Sequence, residues 1–171
     1  MESIDEMYHW PSRDFAPWAT VWPEAIGTKN CGDTLLSKKN GGYFSYNYLR
    51  SGTLQLRLGQ NATQTIKGGT AFVIQPGQLY HYIAPPAAMA DTVLFWVRLA
   101  GPNAENHVKA MGIDAETQQI KINHPSKLNK LTDRFMALYH NYDARSSNAE
   151  AVALLYQMIS ASNPGLQQDT R

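Results

Sequence analysis

Between Gly41 and Leu99, apolar and polar positions trade places with a period of two, in short runs closed by glycine, proline or asparagine. Leu54, Leu56 and Leu58 alternate with Gln55 and Arg57, the pattern of a strand with one buried face. Gly59-Gln60-Asn61 tolerates positive φ and predicts a hairpin into a strand over 62–67. Gly68-Gly69 turns the chain into a short apolar strand over 70–74, and Pro76-Gly77 turns it again into 78–83. A last strand, 92–99, follows the Pro85-Pro86 loop. Upstream, Tyr43 to Tyr48 reads as a strand, Trp18 to Trp22 as a first strand ending at Pro23, and 27–39 as a loop and a second strand containing Thr34, Leu35 and Leu36. Short strands at this spacing predict an antiparallel barrel or jelly roll.

After Leu99 the period lengthens to about three and a half. Gly101-Pro102 stops the last strand, and Asn103 to Met111 reads as a short helix closed by Gly112. Pro125 opens a longer helix, in which Leu128, Leu131, Phe135, Leu138 and Tyr142 recur on one face that should pack against the barrel. The final helix, roughly Asn148 to Ala161, carries two apolar stripes. Val152, Leu155, Tyr156 and Ile159 form one; Ala151, Leu154 and Met158 form the other. A terminal helix apolar on two sides needs two partners, so Ala151, Leu154 and Met158 are expected to meet the same helix of a second copy; the alternative buries both stripes in one subunit.

The chain divides accordingly into an arm (1–17), a barrel (18–100), a helical dimerisation segment (101–162) and the start of a linker (163–171). The arm is polar and punctuated by proline, yet it holds Met7, Tyr8, Trp10 and Phe15, with Trp18 just beyond. That much apolar surface is expected to fold over the barrel, either docking as a ligand completes the surface beneath it or standing as a fixed cover over a sheet edge.

Composition narrows the function. A chain of 171 residues, 43% of them apolar, can bury a sizeable core. The net charge of +1 comes from singly scattered lysines and arginines, not the basic stripe of a nucleic-acid-binding face. No apolar run approaches the length of a bilayer span, and MESIDEMYHW does not read as a signal peptide. One cysteine, Cys31, excludes an intrachain disulfide, and a cytoplasmic setting is expected.

The order of GGYFSYNYLRSGTLQLRLG, KGGTAFVIQPGQLYHY and TVLFWVRLAGP, followed by paired helices and a polar stretch, resembles the cupin-like effector-binding and dimerisation domain of AraC-type transcription regulators. The resemblance covers about Trp18 to Ile159; its most specific parts are Gly69 to Tyr82, with P-G-x-x-x-H-Y, and Phe95 to Gly101. It implies a mainly β fold, a double-stranded β-helix or jelly-roll barrel followed by two or three α-helices. It also implies a small effector, often a sugar, bound in the barrel, a homodimer formed through the last helix, and DNA contact only through a part with two helix-turn-helix motifs. These 171 residues hold no such motif and are expected to be the regulatory half.

The residues of the pocket are read separately. Metal-dependent cupins gather several imidazoles and a carboxylate, and related families place two of those histidines in the strand before the first glycine turn. Here that strand, Tyr43 to Tyr48, has none, and His81 stands alone in the second motif, so neither a metal nor another cofactor is expected. An aromatic barrel suits a sugar, whose C–H face lies on a ring while its hydroxyls reach polar side chains. The resemblance carries Tyr82 and Trp96 onto this chain as ligand-binding positions, has Leu94 where some relatives use histidine, and offers Lys38 or Lys39 where a relative uses arginine. Tyr46, Tyr48, His81 and, from the arm, Tyr8 complete the candidate set. The two faces of the last strand, Leu94-Trp96-Arg98 and Val93-Phe95-Val97-Leu99, are equally apolar, so the pattern leaves open which one looks inward. A metal-free sugar epimerase or isomerase, using His81 with Tyr46 or Tyr82 as acid and base, is the alternative function, with a scaffold module without ligand as the third.

Overall fold

The computed structural model describes residues 5–15, 18–30 and 36–163. Thr34 and Leu35, and the linker from 164 on, lie outside the described residues. In chain order the strands are β1 (Asp5–His9), β2 (Trp22–Asn30), β3 (Leu36–Lys39), β4 (Phe44–Ser51), β5 (Thr53–Leu58), β6 (Gln64–Lys67), β7 (Thr70–Ile74), β8 (Leu79–Ile83), β9 (Val93–Ala100) and β10 (Gln119–Lys121). The helices are α1 (Ala104–Ala110), α2 (Pro125–His140) and α3 (Ser147–Ser162), with a 3₁₀ segment at Pro86–Asp91.

The strands form two antiparallel sheets, β1-β2-β9-β4-β7-β10 and β3-β8-β5-β6. Gly52 alone separates β4 in the larger sheet from β5 in the smaller one. It adopts φ +82°, and a Cβ there would collide with the backbone and side chain of Thr92, so only glycine makes this corner. Thr92 accepts from the Thr53 N–H (3.2 Å) and donates to the Ala88 carbonyl (2.7 Å), locking the corner against the 3₁₀ segment.

Two boundaries differ from the sequence expectation. The first long strand runs Trp22–Asn30, passing through Pro23, and 18–21 is not a strand. Pro23 is accommodated because the β2–β9 register shifts between Pro23 and Ala25, while β1 ends at His9 opposite Ala25, so the missing N–H falls at a bulge beyond the ladder. The barrel also does not close at residue 100, since β10 pairs with β7 at the sheet edge (Ile120 opposite Ala71).

Alternation gives the larger sheet two different faces. Ile26, Tyr46, Tyr48, Ala71, Val73, Phe95, Val97 and Leu99 pack with the helices. Leu49, Phe72, Ile74 and Leu94 point the other way and meet Leu54, Leu56, Leu58, Ile66 and Tyr82 of the smaller sheet. The helical layer is built from Leu128, Leu131 and Phe135 of α2 and from Ala151, Leu154, Leu155 and Met158 of α3. Ala151, Leu154 and Met158 are all at 0% exposure. The stripe expected to face a second copy is therefore core, and the α3 side left open carries Val152, Ala153, Tyr156 and Ile159, with Tyr156 48% exposed. The i, i+3, i+4 spacing is the same for either stripe, so only the packing of α3 on α2 and the sheet selects between them.

The arm extends the larger sheet as its edge strand β1 and then docks on the helical layer. Trp10 is buried among Phe135, Tyr139 and Tyr142, and its indole N–H donates to Asn148 Oδ1 (2.9 Å). Phe15 is fully buried and stacks on Trp22 with ring centroids 5.9 Å apart.

Candidate functional site

The inner face of the larger sheet is a grid that the register defines. Gly27, Trp96, Asn47 and Phe72 lie side by side across β2, β9, β4 and β7. Ala25, Arg98, Ser45 and Ile74 form the row on one side, and Lys29, Leu94, Leu49 and Thr70 the row on the other. The smaller sheet opposes this grid with Tyr82 next to Leu56 and Tyr80 next to Leu58.

The two halves of this interior differ. Toward β5, β6 and β7 it is filled: Leu49, Leu54, Leu56, Leu58, Ile66, Phe72, Ile74 and Leu94 are at most 5% exposed and touch one another. A uniformly roomy lumen is therefore not what the fold provides. Toward β2, β8 and β9 the lining turns polar and aromatic. Lys29 is 3% exposed, and its ammonium lies 6.0 Å from the centroid of the Tyr82 ring, spanning the two sheets. Tyr80 and Tyr82 stack with centroids 5.9 Å apart. Trp96 sits beside Gly27, which presents no side chain, and the Arg98 guanidinium lies 5.5 Å from the Trp96 ring and 4.4 Å from the Tyr43 ring. Asn47 is buried and donates from Nδ2 to the Ser45 carbonyl (2.8 Å). Cations, flat rings and amide or hydroxyl groups thus occupy neighbouring rows of the inner face, with Lys29 on one side of the Trp96 row and Arg98 on the other. Such a set can stack against an apolar ring face and hydrogen-bond its substituents.

Of the residues picked out in the sequence, Tyr82 and Trp96 belong to this cluster, and Lys38 stands at its rim, in register with Tyr80 and exposed. The others lie elsewhere. Tyr46 and Tyr48 occupy the even-numbered side of β4's alternation and face the helices, where Tyr46 Oη pairs with Ser162 Oγ (2.8 Å) and Tyr48 Oη donates to the Pro125 carbonyl (3.4 Å). Burial raises the Tyr46 phenol far above its usual range and raises that of Tyr48 as well, so neither is poised to give up a proton. His81 is paired in register with Arg57 and lies on the outward side of β8, opposite in sense to Tyr80 and Tyr82. Tyr8 packs on Tyr139 (4.7 Å) and His140 (5.2 Å) of α2. Among the described residues no three His, Cys, Asp or Glu side chains come together.

The sequence reading missed Lys29, Asn47, Ser45 and Tyr80. Lys29 was hidden by the misplaced strand; once β2 runs through Pro23, alternation puts Ala25, Gly27 and Lys29 on one face. Grooves of about 320 Å³ beside Gln64 and Gln118, and about 630 Å³ beside Arg13 and Arg145, lie outside the cluster.

Two facing antiparallel sheets, a lining of polar and aromatic side chains at one end and a helical layer behind define a cupin-like binding domain. Residues 42–159 match the model of the AraC-like ligand-binding domain. The chain belongs to that family. Among solved structures it is similar to the AraC-like transcriptional activator CuxR, with a TM-score of 0.56 and 11% identity over 84% of this chain and 52% of that one. It is also similar to the Cnp3 cupin domain of Schizosaccharomyces pombe, with a TM-score of 0.43 and 14% identity over 67% of this chain and 74% of that one. A third is hydroxypropylphosphonic acid epoxidase from S. wedmorenis, with a TM-score of 0.37 and 9% identity over 43% of this chain and 42% of that one. The chain spans about half the length of CuxR and less than half that of the epoxidase. No curated protein matches it. No helix among the described residues is long and apolar enough to cross a membrane.

Proposed function

We propose that this domain senses a small polar effector, of which a sugar is the best fit, at the Lys29, Tyr82 and Trp96 end of the barrel, as the regulatory part of a cytoplasmic transcription regulator. The observation that carries this reading is the burial of a cation, an amide and two large rings between the sheets of an AraC-like ligand-binding domain. Tyr82 and Trp96 supply flat faces for C–H groups, while Lys29, Asn47 and Ser45 offer polar partners to hydroxyls. Lys38 at the rim serves as a polar contact at the entrance. DNA contact, in this reading, is made by residues other than these.

The domain acts by binding and not by turnover. An epimerase would need His81 beside Tyr46 or Tyr82, and the three are split among the outward side of the smaller sheet, the helical side of the larger one and the lumen. Homodimerisation uses the open side of α3, where Val152, Ala153 and Tyr156 form a surface without charge.

A thermal-shift screen of monosaccharides and disaccharides, followed by calorimetry on any hit, tests the proposal. A sugar that binds only the native state must raise the unfolding midpoint. A panel that leaves the midpoint unmoved would remove sugars from the reading, and a hit whose affinity is unaffected by Trp96→Ala would remove the barrel as its site.

A further inference from the structure

The groove of about 630 Å³ lies on the helical side of the larger sheet, between the arm after β1 and the start of α3, away from the barrel lumen. Arg13 and Arg145 line it, both exposed and neither in an ion pair among the described residues. Asp14 is the acidic side chain of the lining. Trp18, 53% exposed, forms a flat wall: its indole N–H donates to the Asp14 carbonyl (3.3 Å), and its ring rests on Phe15 with centroids 5.9 Å apart.

Asn148 gives the groove a direction. It is 9% exposed and lines the groove floor. Its Oδ1 accepts from Trp10 Nε1 (2.9 Å) and from Tyr142 Oη (3.2 Å). An indole N–H can only donate, so the atom facing Trp10 is the oxygen and the amide orientation is settled by chemistry. The Asn148 nitrogen keeps both hydrogens, makes no hydrogen bond among the described residues and is open to solvent at a groove-lining position. The same turn is the N-terminus of the 16-residue α3, whose N-cap Ser146 makes no side-chain capping bond. The Ser147 N–H is taken by the Asp143 carbonyl (2.9 Å), and the positive end of the helix dipole adds to the two guanidinium groups.

Solvent-open donors, a net positive lining and a fixed ring suit a ligand with one anionic group and a flat body. We infer that this groove is a second ligand site, separate from the barrel, for a small aromatic carboxylate or phosphate. The anion meets Arg13, Arg145 and the Asn148 amide, and the ring lies on Trp18. Asp14 keeps the lining at one net positive charge, which suits a single anionic group better than a polyanion. An occupant touches both the arm and α3, and so ties the arm to the helical layer.

Calorimetric titration of the 171-residue chain with benzoate and with phenyl phosphate tests this, with benzyl alcohol and inorganic phosphate as controls. At least one of the two aromatic anions should bind, the tighter one naming the anion, and benzyl alcohol should not. Arg13→Ala and Arg145→Ala, both at exposed positions, should each weaken binding by about tenfold or more. Asn148→Asp keeps an acceptor for Trp10 and Tyr142 while turning the donor into a carboxylate oxygen, so binding should vanish with the indole contact intact. Trp96→Ala should leave this binding unchanged, which separates the groove from the barrel. Failure of both anions to bind, or undiminished binding to the arginine variants, would overturn the site. Equal affinity for inorganic phosphate and phenyl phosphate would overturn the role of Trp18.

Discussion

Phe95 and Trp96 are neighbours in β9 and look to opposite sides of the larger sheet. Phe95 is at 0% exposure, packed with Phe135 (centroids 6.4 Å apart) in the cluster that joins sheet, arm and helices. Trp96, also buried, belongs to neither apolar cluster; its surroundings are Gly27, Asn47 and Arg98. One face of the sheet is committed to cohesion, and part of the other is lined by polar and aromatic side chains. In the proposed reading, stability and recognition fall to alternate residues of the same strand, so each can be perturbed with little effect on the other.

The largest expected effect breaks the cohesive side. Phe95→Ala should cost about 3–5 kcal/mol in chemical denaturation, since it opens a cavity in a packed core. Trp96→Ala should cost clearly less stability, because its removal leaves space among polar groups that water can enter, yet it should weaken effector binding about tenfold or more. Equal stability losses with equal binding losses would erase the distinction between the faces.

A smaller effect sharpens the comparison through pH. His107 of α1 is buried, with Nε2 at 2.9 Å from the Leu155 carbonyl; a carbonyl only accepts, so Nε2 carries the proton and the buried Nδ1 has none and no partner. Burial holds the imidazole below its usual pKa, opposed in part by the Leu155 bond. The unfolded chain therefore takes up the proton first as pH falls, so the contribution to stability is complete above the usual histidine pKa and is lost below it. The melting midpoint should drop between about pH 7.5 and 5.5, the range spanning that value, and His107→Gln should flatten the drop. A slope unchanged in the variant would place the pH dependence elsewhere.

The smallest effect on the fold is at the open side of α3. Tyr156→Glu loses only the edge contact of its ring with His107 (centroids 5.0 Å apart) and should cost about 1 kcal/mol or less, yet yield a monomer by light scattering if two copies meet on this side. A dimer that survives the change would move the interface off α3.

Much of this was legible along the chain. The alternation at Leu54-Leu56-Leu58, the turns at Gly59 and Pro76-Gly77, and the spacing of Leu128, Leu131 and Phe135 all name elements that the structure contains. β10 was not legible, because Gln119–Lys121 is too short to show a period and exists only by pairing with β7. Trp96 and Tyr82 could be named as candidates, but Tyr46, Tyr48 and His81 could not be told from them. Tyr46 and Tyr48 differ from Trp96 in the side of the larger sheet they occupy, and both sides of β4 and β9 are buried because that sheet is covered twice, while His81 lies on the outward side of β8.

Local chemistry is written in the chain: which residues must turn, which runs alternate at two or at three and a half, and which side chains can stack, donate or carry charge. These follow from φ, ψ and side-chain type and need no distant neighbour. Which face of β9 looks inward, which stripe of α3 is core, and that Lys29 crosses to Tyr82 or that Trp10 donates to Asn148 are consequences of contact between segments far apart in sequence. They were settled when the larger sheet was covered on one side by helices and on the other by a second sheet, because only then did equal apolar patterns acquire unequal surroundings.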